Sequence, residues 1–202
     1  MTTTIVHLVR HGEVYNPENI LYGRMPGYHL SSRGRSQAAR TAKSFAGHDV
    51  AALFASPLLR TQETAEPIAE VTGLTPQLRE EVIEAGNRFE GLRTKGWRSQ
   101  LWNPVRWPLM VNPTQPSWGE PYQDILTRMN VAIDAARDAA RGHEAIIVSH
   151  QLPIVMVQRA AVGKSLTHNP ATRRCDLASV TSLVFADDEL IDTVYSTPAK
   201  DI

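Results

Sequence analysis

Apolar and polar positions along the chain switch between two periods. Thr4 to Val9 (TIVHLV) is a short β-rich run that leads into a Gly, which predicts a buried strand followed by a loop. From Ser31 to Ala46 the period lengthens. Ala38, Ala39, Ala42 and Phe45 recur at helical spacing, Ser31 or Ser32 supplies the cap and Gly47 the stop. Val50 to Ala55 (VAALFA) predicts the next strand. Pro57 then opens a helix to about Val71, with Gly73 as its C-terminal stop. Strand, helix, strand, helix is the order of an α/β protein.

The second half continues the theme after an interruption. Residues 102–118 hold four Pro (104, 108, 113, 116) and three Trp (102, 107, 118), which disfavours regular structure. This stretch is either a surface excursion pinned by buried rings or a cap over a site. Pro121 to Arg141 predicts a long helix with Ile125, Met129, Ala132, Ile133 and Ala136 on one face. Glu144 to Ser149 (EAIIVS) predicts a central strand, and Gln151 to Val162 a helix stopped by Gly163. Val180–Phe185 and Leu190–Tyr195 flank Asp187-Asp188-Glu189 as a terminal hairpin. No repeat and no domain boundary interrupts residues 1–202, so one domain is expected. Its sheet is expected to be parallel in the middle and antiparallel at an edge.

Composition narrows the classes of function. The 202 residues carry 21 Lys+Arg against 21 Asp+Glu, which argues against coating nucleic acid or an anionic membrane. Apolar residues make up 42%, too many for disorder. Cys175 stands alone, so a disulfide scaffold and a Cys-rich zinc site are excluded. The N-terminal run lacks the cationic and apolar regions of a secretory signal. The most apolar window, Ala145 to Gly163, holds His150, Gln151, Pro153, Gln158 and Arg159. That is core rather than a bilayer span, so a cytoplasmic protein is expected by default.

Two predicted strands each deliver a histidine at their carboxyl ends, where open α/β sheets bind ligands. One runs Val6-His7-Leu8-Val9-Arg10-His11-Gly12-Glu13 and the other Ile146-Ile147-Val148-Ser149-His150. A third, Leu53-Phe54-Ala55, leads through Ser56-Pro57 into a helix with Arg60 in its first turn. Convergence of Arg10, Arg60, His11 and His150 would make a cationic pocket in a neutral protein, suited to a small dianion and most simply phosphate. His7 and His11 have the i,i+4 spacing of a metal pair, but that spacing works only on a helix and this run is a strand.

Arg10-His11-Gly12-Glu13 after an N-terminal strand resembles the signature of the histidine phosphatase superfamily, the phosphoglycerate-mutase-like fold. The resemblance continues in order along nearly the whole chain. Leu21-Tyr22-Gly23-Arg24 and Leu30-Ser31-Ser32-Arg33-Gly34-Arg35-Ser36-Gln37-Ala38 are similar to one family stretch. Ser56-Pro57-Leu58-Leu59-Arg60-Thr61-Gln62-Glu63-Thr64-Ala65 is similar to another, Gly119-Glu120 with Asp124 to the start of the late helix, and Val148-Ser149-His150 to the second-histidine motif. The resemblance implies a three-layer α/β/α sandwich, no metal and no other cofactor. It also implies a small phosphorylated substrate rather than nucleic acid or membrane as partner. His11 would be the nucleophile, neutral and with its second ring nitrogen held by a backbone carbonyl. Arg10 and Arg60 would clamp the phosphoryl oxygens, with His150, protonated, as a further donor. A general acid is required for the leaving group. Glu80, Glu81 and Glu84 compete for that role, and aligning Phe89-Glu90-Gly91 with the family's aromatic-x-Gly element favours Glu84.

The sequence also departs from the family pattern. Asn16, a candidate phosphate ligand, comes one residue early and precedes Pro17. Gln151 follows the second histidine in place of Gly, and is carried as a further candidate ligand. Pro121 replaces a hydroxyl-bearing position, and 102–118 has no counterpart. Arg88, Arg93, Lys95 and Arg98 form a basic stretch, expected as a solvated helix face or else as a reader of a second anionic group of the substrate. The leading expectation is a metal-independent phosphomonoesterase. A phosphoglycerate-type mutase, usually longer, and a catalytically inactive phospho-ligand binder are the alternatives.

Overall fold

Period-2 burial decides how the strands are used. In the computed structural model, which describes residues 2–93, 99–100 and 119–202, β1 is Thr3–Arg10, β2 Val50–Ala55 and β4 Glu144–Ser149. A two-residue strand, β3 at Gln77–Leu78, was not expected from the sequence; it is too short to carry a period. β5 (Val180–Ala186) and β6 (Glu189–Ser196) form the terminal hairpin. The sheet order is β3-β2-β4-β1-β5-β6. β1, β2, β3 and β4 run parallel, and β5 pairs antiparallel with both β1 and β6, as the two halves of the sequence require.

Four helices cover the two faces: α1 Ser32–Ser44, α2 Leu59–Thr72, α3 Tyr122–Ala139 and α4 Gln151–Ala161. Val6, Leu8, Ala52, Phe54, Ala145 and Ile147 point from the strands into a core shared with Ile125 and Met129 of α3 and Ile154 of α4. The intervening residues Val9, Leu53, Ala55, Ile146 and Val148 pack with Ala42 of α1 and with Ala65 and Ile68 of α2. The result is the three-layer α/β/α sandwich, with the parallel strands buried on both sides. Ile147, fully buried, sits at its centre, and truncation to Ala there costs about 2–5 kcal/mol.

Element ends follow their local chemistry. The Ser31 hydroxyl accepts the Gly34 N–H at 3.0 Å and caps α1, settling the Ser31/Ser32 choice. α2 starts two residues later than Pro57, and ends at Gly73 in the left-handed conformation (φ 72°). Among the described residues no helix is long and apolar enough to cross a membrane. The Trp/Pro-rich stretch 102–118, with Lys95 and Arg98, lies outside the described residues. The rest of the basic stretch is not helical. Arg88 lies in a turn that the Asn87 side chain closes on the Phe89 N–H at 2.9 Å, and Arg93 forms an isolated bridge with Ile20.

Candidate active site

The parallel strands all end on one side of the sheet, so their C-terminal residues meet. Arg10 ends β1, Ser56 follows β2, and His150 follows β4 as the cap of α4. The loop leaving β1 is pressed against α1. A Cβ on Gly12 would lie 2.5 Å from the Gly34 carbonyl oxygen, and one on Gly34 would lie 2.0 Å from that of Glu13. Two glycines from separate motifs are therefore one close contact, and it fixes the backbone beside His11. The Gly12 N–H donates to Thr64 Oγ1 at 3.1 Å, which ties the same loop to α2.

His11 is 2% exposed, and Nδ1 lies 2.8 Å from the Gly12 carbonyl. A carbonyl only accepts, so Nδ1 carries the proton and the Nε2 lone pair is free; Nε2 has no hydrogen-bond partner among the described residues. Burial, reinforced by Arg60 and Arg10, holds the His11 pKa well below 6.5. The ring is neutral at neutral pH. His150 is edge-on to it, ring centres 5.2 Å apart.

Arg60 is 1% exposed in the first turn of α2. Its Nη2 donates to the Gly23 carbonyl at 2.7 Å and lies 3.2 Å from His150 Nδ1, while the Tyr22 ring covers the guanidinium at 4.9 Å. Arg10 Nη1 donates to the Cys175 carbonyl at 2.5 Å. Each of these arginines keeps a buried Nε–H with no partner, and neither forms a carboxylate ion pair among the described residues. The nearest acid to their charge among the described residues is Glu84, which interacts with both at longer range than an ion pair.

His150 differs from the protonated donor expected from the sequence. Burial, with Arg60, His11, Arg128 and Arg10, depresses its pKa well below 6.5. With Nδ1 accepting from Arg60, the single proton sits on Nε2 and donates to Ser56 Oγ at 2.8 Å. The cationic surroundings that attract an anion also keep this ring neutral without one.

Of the three competing glutamates, only Glu84 lines the cavity. Glu80 is exposed in a 3-10 turn at Glu80–Val82, and Glu81 is half-buried there. Glu84 Oε2 lies 4.0 Å from His150 Nδ1, and Oε1 accepts the Ala85 N–H at 2.9 Å. Burial raises its pKa above 4.5, against the lowering effects of that N–H, Arg60, Arg10 and Arg173. Its loop is held from outside. Arg24 Nε donates to the Glu84 carbonyl at 2.6 Å and Arg24 Nη2 to Glu120 at 2.8 Å, while Arg128 Nε donates to Glu120 at 2.8 Å. Arg24 and Glu120, quoted above within two separate motifs, thus brace one loop.

The cavity, of about 280 Å³, is walled by Arg10, His11, Tyr22, Glu84, Gln151 and Arg173 among others. Arg60 and His150 form the buried layer next to it rather than its wall. Gln151 lines it, its side-chain amide 3.4 Å from the Cys175 carbonyl. Asn16 does not reach it. Its amide closes a local loop, donating to the Ile20 carbonyl at 2.8 Å and accepting the Ile20 N–H at 3.2 Å. The early position noted in the sequence puts Asn16 in that turn. Sequence reasoning missed Tyr22, Ser56 and Arg173. Arg173 enters from the irregular segment after α4, where no periodicity or motif marked it, and its Nε donates to His168 at 2.8 Å. Cys175 is not a competing nucleophile, since burial pushes its thiol up to about 11.

A neutral histidine at the end of a parallel strand, two arginines without a carboxylate ion pair among the described residues and a half-buried carboxyl define a histidine-phosphatase type of site on a mixed α/β sandwich. The chain belongs to the histidine phosphatase superfamily (branch 1), whose family model matches residues 6–195. It is 50% identical over 196 residues to the uncharacterized protein Rv0525 of Mycobacterium tuberculosis, covering 97% of each chain. To the probable phosphoglycerate mutase GpmB of Escherichia coli it is 32% identical over 159 residues, 74% of this chain and 70% of that one. Among solved structures, YhfR of Bacillus stearothermophilus superposes with a TM-score of 0.76 at 24% identity, covering 96% of this chain and 95% of that one. A mycobacterial glucosyl-3-phosphoglycerate phosphatase, Rv2419c, superposes at 0.71 and 21%, covering 96% and 98%. At these identities the two structures speak to the fold.

Proposed function

We propose that the protein is a metal-independent phosphomonoesterase that works through a phosphohistidine on a small phosphorylated metabolite. The observation that carries this is a buried, neutral His11 whose Nε2 has no hydrogen-bond partner among the described residues, beside two arginines that form no carboxylate ion pair among them. The Nε2 lone pair attacks phosphorus and the ester P–O bond breaks. The departing alkoxide takes the proton of Glu84, whose raised pKa suits a general acid. Water then gives a proton to the Glu84 carboxylate and attacks the phosphohistidine. The P–N bond breaks, phosphate leaves, and His11 and the Glu84 acid are restored.

Arg10 and Arg60 stabilise charge on the transferring group, with Gln151 as a neutral donor at the mouth. The Arg60 Nη2 is held by the Gly23 carbonyl, and its Nε–H, unpartnered among the described residues, remains available to a phosphoryl oxygen. A bound dianion also favours a proton on His150 Nδ1, which would then donate to it. Arg173, on the wall of the same cavity, contacts the part of the substrate beyond the phosphate.

The test is rapid quench with a labelled phosphomonoester, expected to trap an acid-labile, base-stable phosphoenzyme. Vanadate should inhibit and EDTA should leave turnover intact; turnover abolished by EDTA and restored by added metal would overturn the mechanism. The likeness to a probable phosphoglycerate mutase supports a second reading, in which the same phosphohistidine passes its phosphoryl group to a hydroxyl. Isomer interconversion faster than phosphate release would favour it. Binding without either product would leave only an inactive phospho-ligand binder.

A further inference from the structure

Away from the catalytic end, three metal-ligating side chains from separate elements meet on the α1/α2 face of the sheet. His7 comes from β1, His48 from the turn between α1 and β2, and Glu144 from the start of β4. Glu144 Oε2 lies 2.9 Å from His7 Nε2 and 2.7 Å from His48 Nδ1, and all three ligand atoms fall within 4.8 Å of one another. His7 is four residues before His11 on an extended strand, so the cluster is ~13 Å from the nucleophile along β1. None of its members lines the cavity described above.

We propose that His7, His48 and Glu144 bind a divalent d-block cation, zinc by preference, as a structural site unconnected with the phosphatase chemistry. Two imidazoles and one carboxylate are a donor set that suits zinc and its neighbours rather than magnesium or calcium, which take oxygen ligands. The surroundings are those of a metal-ligating histidine. His7 Nδ1 lies 2.8 Å from Ser182 Oγ, on the strand paired with it, so Nε2 is aimed at the cluster by a bond on the far side of the ring. The Phe45 ring packs edge-on against His7 at 5.2 Å and against His48 at 5.7 Å, which gives the site an apolar wall.

Without metal, His7 holds its proton on Nε2, donates to Glu144 and accepts from Ser182. On binding, that proton passes to Nδ1, which then donates to Ser182 Oγ, and the Nε2 lone pair goes to the cation. Without metal, His48 holds its proton on Nδ1 and donates to the same Glu144 oxygen; on binding, that proton passes to Nε2, which faces solvent, and the Nδ1 lone pair goes to the cation. The exchange needs no oxidant and no net change in protonation of either ring. Four-coordinate zinc with bonds of ~2.0–2.1 Å sets its ligand atoms roughly 3.3 Å apart. The Glu144 contacts must open slightly and His48, 41% exposed on its side chain, must swing in. Water takes the fourth position at the exposed rim. The cation would tie β1, β4 and the turn before β2 together.

The experiment titrates the full chain, treated with chelator, with Co²⁺ alone and with Zn²⁺ alone. The variants are His48→Ala, Glu144→Gln, Ser182→Ala and His11→Asn. Expected are one equivalent of Co²⁺ with the visible bands of four-coordinate cobalt, and a Zn²⁺-dependent rise in Tm, in wild type and in His11→Asn. Both signals should be lost in His48→Ala and Glu144→Gln, and affinity should fall about 10–100-fold in Ser182→Ala. EDTA should lower Tm while leaving turnover intact. Because His48 is half-exposed, His48→Ala remains folded and its circular dichroism serves as the control. Absence of the bands in wild type overturns the proposal. So do bands that persist in His48→Ala or that disappear in His11→Asn, which would place the cation at the catalytic histidines.

Discussion

His7 and His11 stand four residues apart on and just beyond β1, and both are buried, yet their neighbours are opposite in charge. Around His11 the nearby charges are Arg10 and Arg60, with guanidinium N–H groups left unpartnered. Around His7 the nearest charge is Glu144, whose one oxygen serves two imidazoles. Burial lowers the pKa of both rings; arginine deepens the shift at His11, and Glu144 opposes it at His7. The cationic end is built to receive an anion, and the other end already has one. The same residue type on the same strand therefore becomes a nucleophile at one end and a carboxylate-bound ligand at the other.

Substitution at each end separates the two roles. His11→Ala should remove turnover by roughly 10⁴-fold or more while circular dichroism is unchanged, as expected for a nucleophile. Retention of a tenth of the activity would show that another group attacks phosphorus. Glu84→Gln should slow an alkyl phosphate by ~10²–10⁴ and an activated aryl phosphate far less, since nitrophenolate leaves without a proton. Equal losses on both substrates would remove the acid role from Glu84. Arg60→Lys keeps the charge but loses the planar fork, and kcat should fall by ~10². Near-wild-type kinetics would mean that the Arg60 fork does not hold the phosphoryl group.

The pKa directions predict a pH profile. His11 must be neutral, so kcat/KM rises with pH through its lowered pKa, and the rise is complete below 6.5. Glu84 must be protonated, so the rate on an alkyl phosphate falls as pH climbs through a pKa raised above 4.5. The falling limb should vanish in Glu84→Gln. Stability has its own sign. The folded protein holds His11 and His150 neutral, whereas the unfolded chain protonates them near 6.5, so it binds more protons in acid. Tm should therefore be level above pH 7 and decline below about 6.5. Glu84, whose pKa is raised in the fold, acts with the opposite sign, so the decline is read in Glu84→Gln, where a flat Tm down to pH 5 would show these rings are charged in the fold. The smallest effect belongs to the other end. With no metal added, His48→Ala should change turnover less than twofold and stability by about 1 kcal/mol, the loss of one hydrogen bond to a carboxylate.

Local sequence determined the elements, because each carries its own period and punctuation. VAALFA and EAIIVS alternate their side chains between two cores, and Ser31, Gly47, Gly73 and Gly163 mark helix ends. Arg10, His11, Arg60 and His150 were legible as a group because each follows or opens an element at a strand's carboxyl end. What required the tertiary structure was every contact between distant segments. Gly12 against Gly34, Arg24 bracing Glu84 and Arg173 on the cavity wall join residues with no shared local pattern. The same holds for protonation. Sequence places His150 beside arginines, but only burial together with the Arg60 and Ser56 hydrogen bonds makes it neutral. His7 is set apart from His11 in the sequence by the strand period. Its partners His48 and Glu144 lie 41 and 137 residues away, and only the pairing of β4 with β1 and the turn after α1 bring them within reach.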